Sequence, residues 1–200
     1  MNIKVILFDI GGVLVELAGA KRLIELMGGN ITHEELSKRW FHSEYVRLYE
    51  SGQCSTDIFA EGVVRELDMD ISPDDFISEF PLYVKDFFPG VTELLRELAP
   101  KYTLACLSNT SIAQWTSLRE RILINQYFRH SFLSYEIGLL KPELGIYTYT
   151  IEKLSCRPDE IIFFDDNDAN VQTALKSGMA AYRVAGFEDL KDKMSIVNLI

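Results

Sequence analysis

The stretch VILFDIGG, from Val5 to Gly12, decides the fold that we predict from this sequence. Four apolar residues run without alternation into a polar, glycine-rich break. A run that is apolar throughout suits a strand buried on both faces of a parallel sheet. We therefore predict a central β-strand over residues 4–8, with Asp9 directly after its carboxyl end.

Strand and helix patterns alternate along the chain after the turn at Phe88-Pro89-Gly90. We predict further strands over residues 103–107, 131–134, 161–164 and 181–184. Helical patterns separate them, over residues 92–98, up to about 123, over 142–154 and from about 170 to 177. This alternation predicts an α/β fold with a doubly wound parallel sheet.

The segment between the first strand and this alternating region has helical periodicity and no convincing strand. Thr32 and Glu35 have capping-box spacing, and Ser72-Pro73 is a second helix start. We predict a small helical cap over residues 16–85, inserted after the first strand, and a core formed by residues 1–15 and 86–200. Five aromatic residues at helical spacing are predicted to form the core of this small bundle, with the lining of a substrate pocket as the alternative: Trp40, Phe41, Tyr45, Tyr49 and Phe59.

Composition limits the classes of function. The 200 residues suffice for one domain with a small insert, and 20 basic against 30 acidic residues give a net charge of −10. A chain this acidic is repelled by nucleic acid and by anionic membranes, so neither is an expected partner. Cys54, Cys106 and Cys156 suggest neither a disulfide framework nor a zinc site. We expect a cytoplasmic monomer with no export signal or membrane span.

Polar residues follow the predicted strands at the points where the strands end. In a parallel sheet these ends share one edge, which would gather Asp9, Ser108, Asn109, Lys141, Asp165 and Asp166. Three carboxylates facing one lysine cannot all remain ionised without a cation or large pKa shifts. Such a cation is predicted to be Mg²⁺, because Mg²⁺ binds a few carboxylate oxygens and keeps its other coordination positions for water and phosphate.

The same residues suit phosphoryl transfer. Lysine, a serine hydroxyl and the amides at a helix N-terminus are common phosphate ligands. An aspartate carboxylate can itself attack phosphorus and form an aspartyl-phosphate. The sequence therefore predicts a magnesium-assisted phosphoryl-transfer site.

Four motifs in order resemble the haloacid dehalogenase (HAD) superfamily over nearly the whole chain: Phe8-Asp9-Ile10-Gly11-Gly12-Val13, Leu107-Ser108-Asn109, Gly138-Leu139-Leu140-Lys141-Pro142 and Phe164-Asp165-Asp166-Asn167-Asp168-Ala169-Asn170. Within the superfamily, the chain resembles the small phosphatases with a helical cap, the subgroup of the bacterial α-D-glucose-1-phosphate phosphatases. The stretch Glu50-Ser51-Gly52 in the insert is similar to that subgroup as well. The resemblance implies a HAD-like Rossmannoid core.

The resemblance also implies a role for each residue of the metal site. Asp9 corresponds to the nucleophile and to a Mg²⁺ ligand. The backbone carbonyl of Gly11 corresponds to a second ligand. Asp166 aligns with the carboxylate ligand of the family, and Asp165 is a weaker or water-mediated candidate.

The phosphate-holding residues follow from the same resemblance. Ser108 and Asn109 correspond to the residues that hold the phosphoryl oxygens. Lys141 corresponds to the lysine that neutralises nucleophile and phosphate together. Asn170 stands where the family often has an Asp that orients the site.

Gly11 departs from the usual pattern of the family, which has a second Asp at this position. That Asp gives a proton to the leaving group and later takes one from the attacking water. Either the substrate has a good leaving oxygen, such as that of a sugar 1-phosphate, or a cap residue or water replaces the Asp. His42, Glu16 and Glu44 are possible replacements.

Three functions remain open from the sequence. One is a Mg²⁺-dependent phosphatase that acts on a small phosphorylated metabolite, such as a sugar phosphate. The second is a metal-independent 2-haloacid dehalogenase, against which the pair of carboxylates at 165–166 argues because it would repel a carboxylate substrate. The third is a non-catalytic protein that binds phosphate compounds or serves in regulation on the same fold.

Overall fold

The computed structural model describes residues 2–200. Its strands are β1 (Val5–Phe8), β2 (Val15–Leu17), β3 (Val84–Phe87), β4 (Thr103–Ser108), β5 (His130–Leu133), β6 (Ile161–Asp165) and β7 (Ala180–Arg183). Its α-helices are α1 (Gly19–Leu26), α2 (His33–His42), α3 (Glu44–Glu50), α4 (Thr56–Glu66), α5 (Pro73–Glu79), α6 (Val91–Leu98), α7 (Ile112–Ile122), α8 (Ser134–Ile137), α9 (Leu144–Leu154), α10 (Asp168–Lys176) and α11 (Phe187–Ile196). None of the helices in these residues has the length and apolar character that crossing a membrane requires.

Five parallel strands form the central sheet, in the order β5-β4-β1-β6-β7. All four residues of β1 are buried, because helices cover both faces of the sheet. Ile6 and Phe8 belong to one apolar core, while Val5 and Leu7 belong to the core on the opposite face. The predicted fold class is therefore confirmed, and β1 is its central strand.

Helices α1 to α5 enclose an apolar core of their own. Tyr49 stacks on Phe59 with ring centroids 4.2 Å apart, and Phe76 and Phe80 pack against the same Phe59 ring. Four hydroxyl side chains cap helices here by accepting a hydrogen bond from a backbone N–H in the first turn: Thr32, Ser43, Ser55 and Ser72. We call helices α1–α5 the cap, and its treatment as a separate unit over 16–85 stays a prediction.

The connections between core and cap form a second, two-stranded sheet that the sequence pattern did not predict. Strands β2 and β3 pair antiparallel, with Val15 opposite Phe87 and Leu17 opposite Val84. The predicted boundaries between core and cap, near residues 15 and 86, thus lie within this two-stranded sheet. Both strands are short and carry exposed residues, so they lack the apolar run on which strand prediction relied.

Other differences concern helix boundaries. Helix α9 begins at Leu144 and not at Pro142, and α10 begins at Asp168 and not near residue 170. Helix α11 was not predicted at all, although Phe187, Leu190 and Met194 place its apolar stripe in the core.

Candidate active site

The sheet brings the predicted site residues to one edge. Asp9 follows β1, which lies between β4 and β6, so the ends of the three strands are neighbours. A cavity of about 450 Å³ lies between this edge and the cap. Seven of the predicted residues line it: Asp9, Gly11, Ser108, Asn109, Lys141, Asp166 and Asn170.

Lys141 lies buried between two carboxylates. Its side chain is only 2% exposed, and its Nζ is 2.9 Å from Asp9 Oδ1 and 2.7 Å from Asp165 Oδ2. Burial disfavours the lysine's charge, but the carboxylates of Asp165 and Asp9 outweigh it and raise the pKa of Lys141 above its ordinary value. The lysine is therefore a fixed cation beside the predicted nucleophile.

Asp9 has excess negative charge around it in the metal-free protein. Burial raises the pKa of Asp9 to about 7, Lys141 opposes this increase, and the charges of Asp165 and Asp166 add to it. Burial and the nearby charge of Asp165 also raise the pKa of Asp166. One lysine thus does not balance the three carboxylates, and a bound cation would favour their ionised forms.

Asp165 and Asp166 have different surroundings. Asp165 is fully buried and accepts hydrogen bonds from Asn167 N at 2.8 Å and from Asn170 Nδ2 at 2.9 and 3.0 Å, besides its ion pair with Lys141. These donors occupy both oxygens. Asp166 lines the cavity, which favours it over Asp165 as the ligand of a cation. Asn170 orients Asp165.

The turn after β1 brings Gly12 against Asp166. Gly12 has a φ of +72°, and a Cβ added there would lie 2.6 Å from Asp166 Oδ2. The turn is closed by hydrogen bonds from Gly12 N to Val15 O and from Val15 N to Ile10 O, which leave the Gly11 carbonyl unused. One oxygen from each of Asp9, Asp165 and Asp166 falls within 4.8 Å of the others. Oxygen ligands in this number suit Mg²⁺.

Ser108 and Asn109 make different contacts in the structure. Ser108 lines the cavity with Asp9. The Asn109 side chain donates from Nδ2 to Lys141 O at 2.9 Å and accepts from Lys141 N at 2.8 Å. It therefore fixes the loop that carries the lysine, and only one amide hydrogen of this side chain remains for a phosphoryl oxygen.

The cap forms the other wall of the cavity. Trp40 and Phe41 line it, whereas Tyr49 and Phe59 lie in the cap core as predicted. Phe41 is 46% exposed, so its prediction as a core residue is wrong. Glu50 also lines the cavity. The stretch Glu50-Ser51-Gly52 was predicted to resemble the cap subgroup, but no role at the site was predicted for Glu50. The available signal was helical spacing, because Glu50 follows Val46, a buried residue of α3, by four positions.

The fold and this site define a hydrolase of the HAD type. Residues 3–178 match the haloacid dehalogenase-like hydrolase family, and the chain belongs to this family.

Individual relatives are similar over different lengths. A D-ribitol-5-phosphate phosphatase from Bacteroides thetaiotaomicron is 24% identical over 209 residues, covering 98% of each chain. A glyceraldehyde 3-phosphate phosphatase from Methanothermobacter thermautotrophicus is 30% identical over 100 residues, which are 48% of this chain and 44% of that protein. The crystal structure of a HAD family enzyme from Bacteroides thetaiotaomicron, in complex with magnesium and inorganic phosphate, is 26% identical with a TM-score of 0.76. That alignment covers 91% of this chain and 94% of the other.

Proposed function

We propose that this HAD hydrolase is a Mg²⁺-dependent phosphatase that acts on a small phosphorylated metabolite of the sugar-phosphate class. The arrangement of Asp9 carries the proposal. Its carboxylate opens into the cavity, Lys141 Nζ lies 2.9 Å from one of its oxygens, and Asp166 lines the same cavity. This is the arrangement that phosphoryl transfer to a carboxylate requires.

Asp9 attacks phosphorus with the carboxylate oxygen that Lys141 does not hold. The bond from phosphorus to the ester oxygen breaks, and an aspartyl-phosphate forms. Water then attacks this phosphorus, which releases inorganic phosphate and restores Asp9. Lys141 stays beside the transferred group in both steps, and Ser108 faces the phosphoryl oxygens.

The residues fit a divalent cation. Asp9, the Gly11 carbonyl and Asp166 are the proposed ligands, because the oxygens of Asp165 are already taken by Lys141, Asn167 and Asn170. Bound Mg²⁺ supplies positive charge that offsets the phosphate and the surplus carboxylates.

The proposed substrate class rests on the relatives and on the size of the cavity. The names of two relatives give ribitol 5-phosphate and glyceraldehyde 3-phosphate as their substrates. A volume of about 450 Å³ is ample for molecules of this size. The cytoplasmic location, the monomeric state and sugar 1-phosphates as the preferred substrates stay predictions.

The test measures phosphate release from sugar 1-phosphates and from sugar and polyol 5- and 6-phosphates, with Mg²⁺ and with chelator. We expect release with Mg²⁺ alone. Asp9→Asn should lower kcat by ~10³-fold or more, because an amide does not replace the nucleophile. Asp192→Asn, which removes an exposed carboxylate from α11, is the matched control and should keep full activity.

Two outcomes would contradict the proposal. Halide release from 2-haloacids in chelator would point to the dehalogenase reaction. A L-2-haloacid dehalogenase from Xanthobacter autotrophicus shares the fold at 21% identity and a TM-score of 0.66. Binding of inorganic phosphate without turnover of any substrate would point to a non-catalytic protein.

The turn at Gly12 gives a separate prediction about the cation. In Gly12→Ala the new methyl group would displace the Asp166 carboxylate, so we expect Mg²⁺ affinity to fall by ~10- to 100-fold. Isothermal titration with Mg²⁺ measures this. Gly29→Ala is the control, because Gly29 also has a positive φ but open space around it. Equal affinities in the two variants would exclude Asp166 as a ligand held by this turn.

A further inference from the structure

The proposed reaction needs a proton donor that the core does not provide. The ester oxygen leaves as an alcohol only if it receives a proton, and Gly11 has no side chain to supply one. Glu16, His42 and Glu44 are exposed, and none of them lines the cavity that holds Asp9. The donor is therefore to be sought among the titratable groups on the cap wall.

Glu50 is the carboxyl group of the cap wall. It is the last residue of α3, and Tyr49 before it lies in the cap core. Glu50 lines the cavity together with Asp9 and Lys141. Within residues 2–200 its carboxylate has no hydrogen-bond partner. An unpartnered carboxyl group on a cavity wall is available to a ligand.

Two contacts between cap and core lie on either side of Glu50. Arg47, one helical turn before Glu50, forms an ion pair of 3.0 Å with Glu143, which lies two residues after Lys141. Gly52, two residues after Glu50, packs so closely on the Tyr135 carbonyl that a Cβ would overlap it. Contacts on both sides of Glu50 thus direct this end of α3 at the loop that carries Lys141.

Burial at the cavity wall allows Glu50 to gain and lose a proton near neutral pH. Burial raises the pKa of Glu50 to about 7, while the charges of Lys141 and Arg47 oppose the increase. A group with a pKa near the working pH is an effective acid in one step and an effective base in the next.

We propose that Glu50 is the general acid and base that the cap supplies in place of the residue missing at position 11. This inference rests on the proposed phosphatase function. As Asp9 attacks and the bond from phosphorus to the ester oxygen breaks, the Glu50 carboxyl gives its proton to that oxygen, and the alcohol leaves. The Glu50 carboxylate then takes a proton from the water that attacks the aspartyl-phosphate. The Asp9–phosphorus bond breaks, phosphate leaves, and Glu50 is protonated again.

The test compares two aryl phosphates of nearly equal shape. Phenyl phosphate has a basic leaving oxygen that needs a proton, whereas 4-nitrophenyl phosphate has a leaving group that departs as an anion. In Glu50→Gln we expect kcat/KM for phenyl phosphate to fall by ~10²-fold or more, within the range of general acid catalysis. The value for 4-nitrophenyl phosphate should fall several-fold at most, which also shows that the variant is folded.

Glu44→Gln, an exposed change in the same helix, is the matched control and should leave both substrates unaffected. The double variant with Glu50→Gln and Gly11→Asp places an acid on the core, and it should recover phenyl phosphate hydrolysis. Position 11 has no left-handed φ, and the atoms nearest to an added Cβ belong to the flexible end of Leu17, at 3.1 Å. Equal losses on both substrates in Glu50→Gln would overturn the role of Glu50 while leaving the phosphatase function intact. Absence of phosphate release by the wild type would instead refute both.

Discussion

Replacing Lys141 with Met should lower the free energy of unfolding of the metal-free protein by about 3–5 kcal/mol at pH 7. Met fills a similar volume but has no charge, so the buried carboxylates of Asp9 and Asp165 lose their shared countercharge. Removing one member of a buried ion pair is costly because the remaining charge is neither hydrated nor paired. The same change should lower kcat by ~10²- to 10³-fold, since in the proposed mechanism Lys141 neutralises charge at the transferred phosphoryl group.

Urea denaturation at pH 7 in chelator measures the stability change. Lys38→Met is the matched control, because Lys38 pairs with Glu34 at 2.8 Å but the two side chains are 68% and 78% exposed. An exposed pair of this kind contributes less than about 1 kcal/mol. Equal stabilities of the two variants would show that Asp9 and Asp165 do not depend on Lys141 for their charge balance.

Much of the core could be predicted because local patterns determine it. Strand β1 is a buried apolar run that ends at Asp9, and the same pattern recurs in β6, which ends at Asp165. Parallel pairing then places polar residues from different strands at one edge. Strands β2 and β3 escaped prediction because their pairing joins residues about 70 positions apart, and neither segment has an apolar pattern of its own.

The site was predictable only as far as strand ends define it. Asp9, Ser108 and Lys141 line the cavity as expected from their positions. Asn109 was expected to hold phosphate, but two hydrogen bonds tie its amide to the Lys141 backbone. These hydrogen bonds depend on how two loops lie against each other in space, which the sequence pattern does not predict. The presence of Glu50 at the site depends on a still longer-range feature, because the fold places the end of one cap helix over the edge of the sheet.

Glu50 also gives the protein a pH-dependent stability of predictable sign. Its pKa in the folded protein, about 7, lies above the ordinary value of 4.5, so folding favours the protonated form. The stabilisation is fully present below pH 4.5 and is lost as the pH rises through 7. One pKa unit corresponds to about 1.4 kcal/mol, and the water that reaches the cavity reduces the total, so we expect a loss of about 1–3 kcal/mol.

Glu50→Gln removes this titration while keeping the shape of the side chain. The free energy of unfolding of the wild type, relative to that of Glu50→Gln, should therefore fall by about 1–3 kcal/mol between pH 4 and pH 8. At alkaline pH the variant thus becomes more stable relative to the wild type than it is at acidic pH. Urea denaturation of both proteins in chelator gives the difference, in which the contribution of Asp9 cancels because both proteins contain it. High salt should leave the result nearly unchanged, since salt screens buried groups much less than exposed ones. If the stability difference between the two proteins stays constant from pH 4 to pH 8, Glu50 has an ordinary carboxyl pKa. Glu50 would then be ionised at neutral pH and would not serve as the proposed general acid.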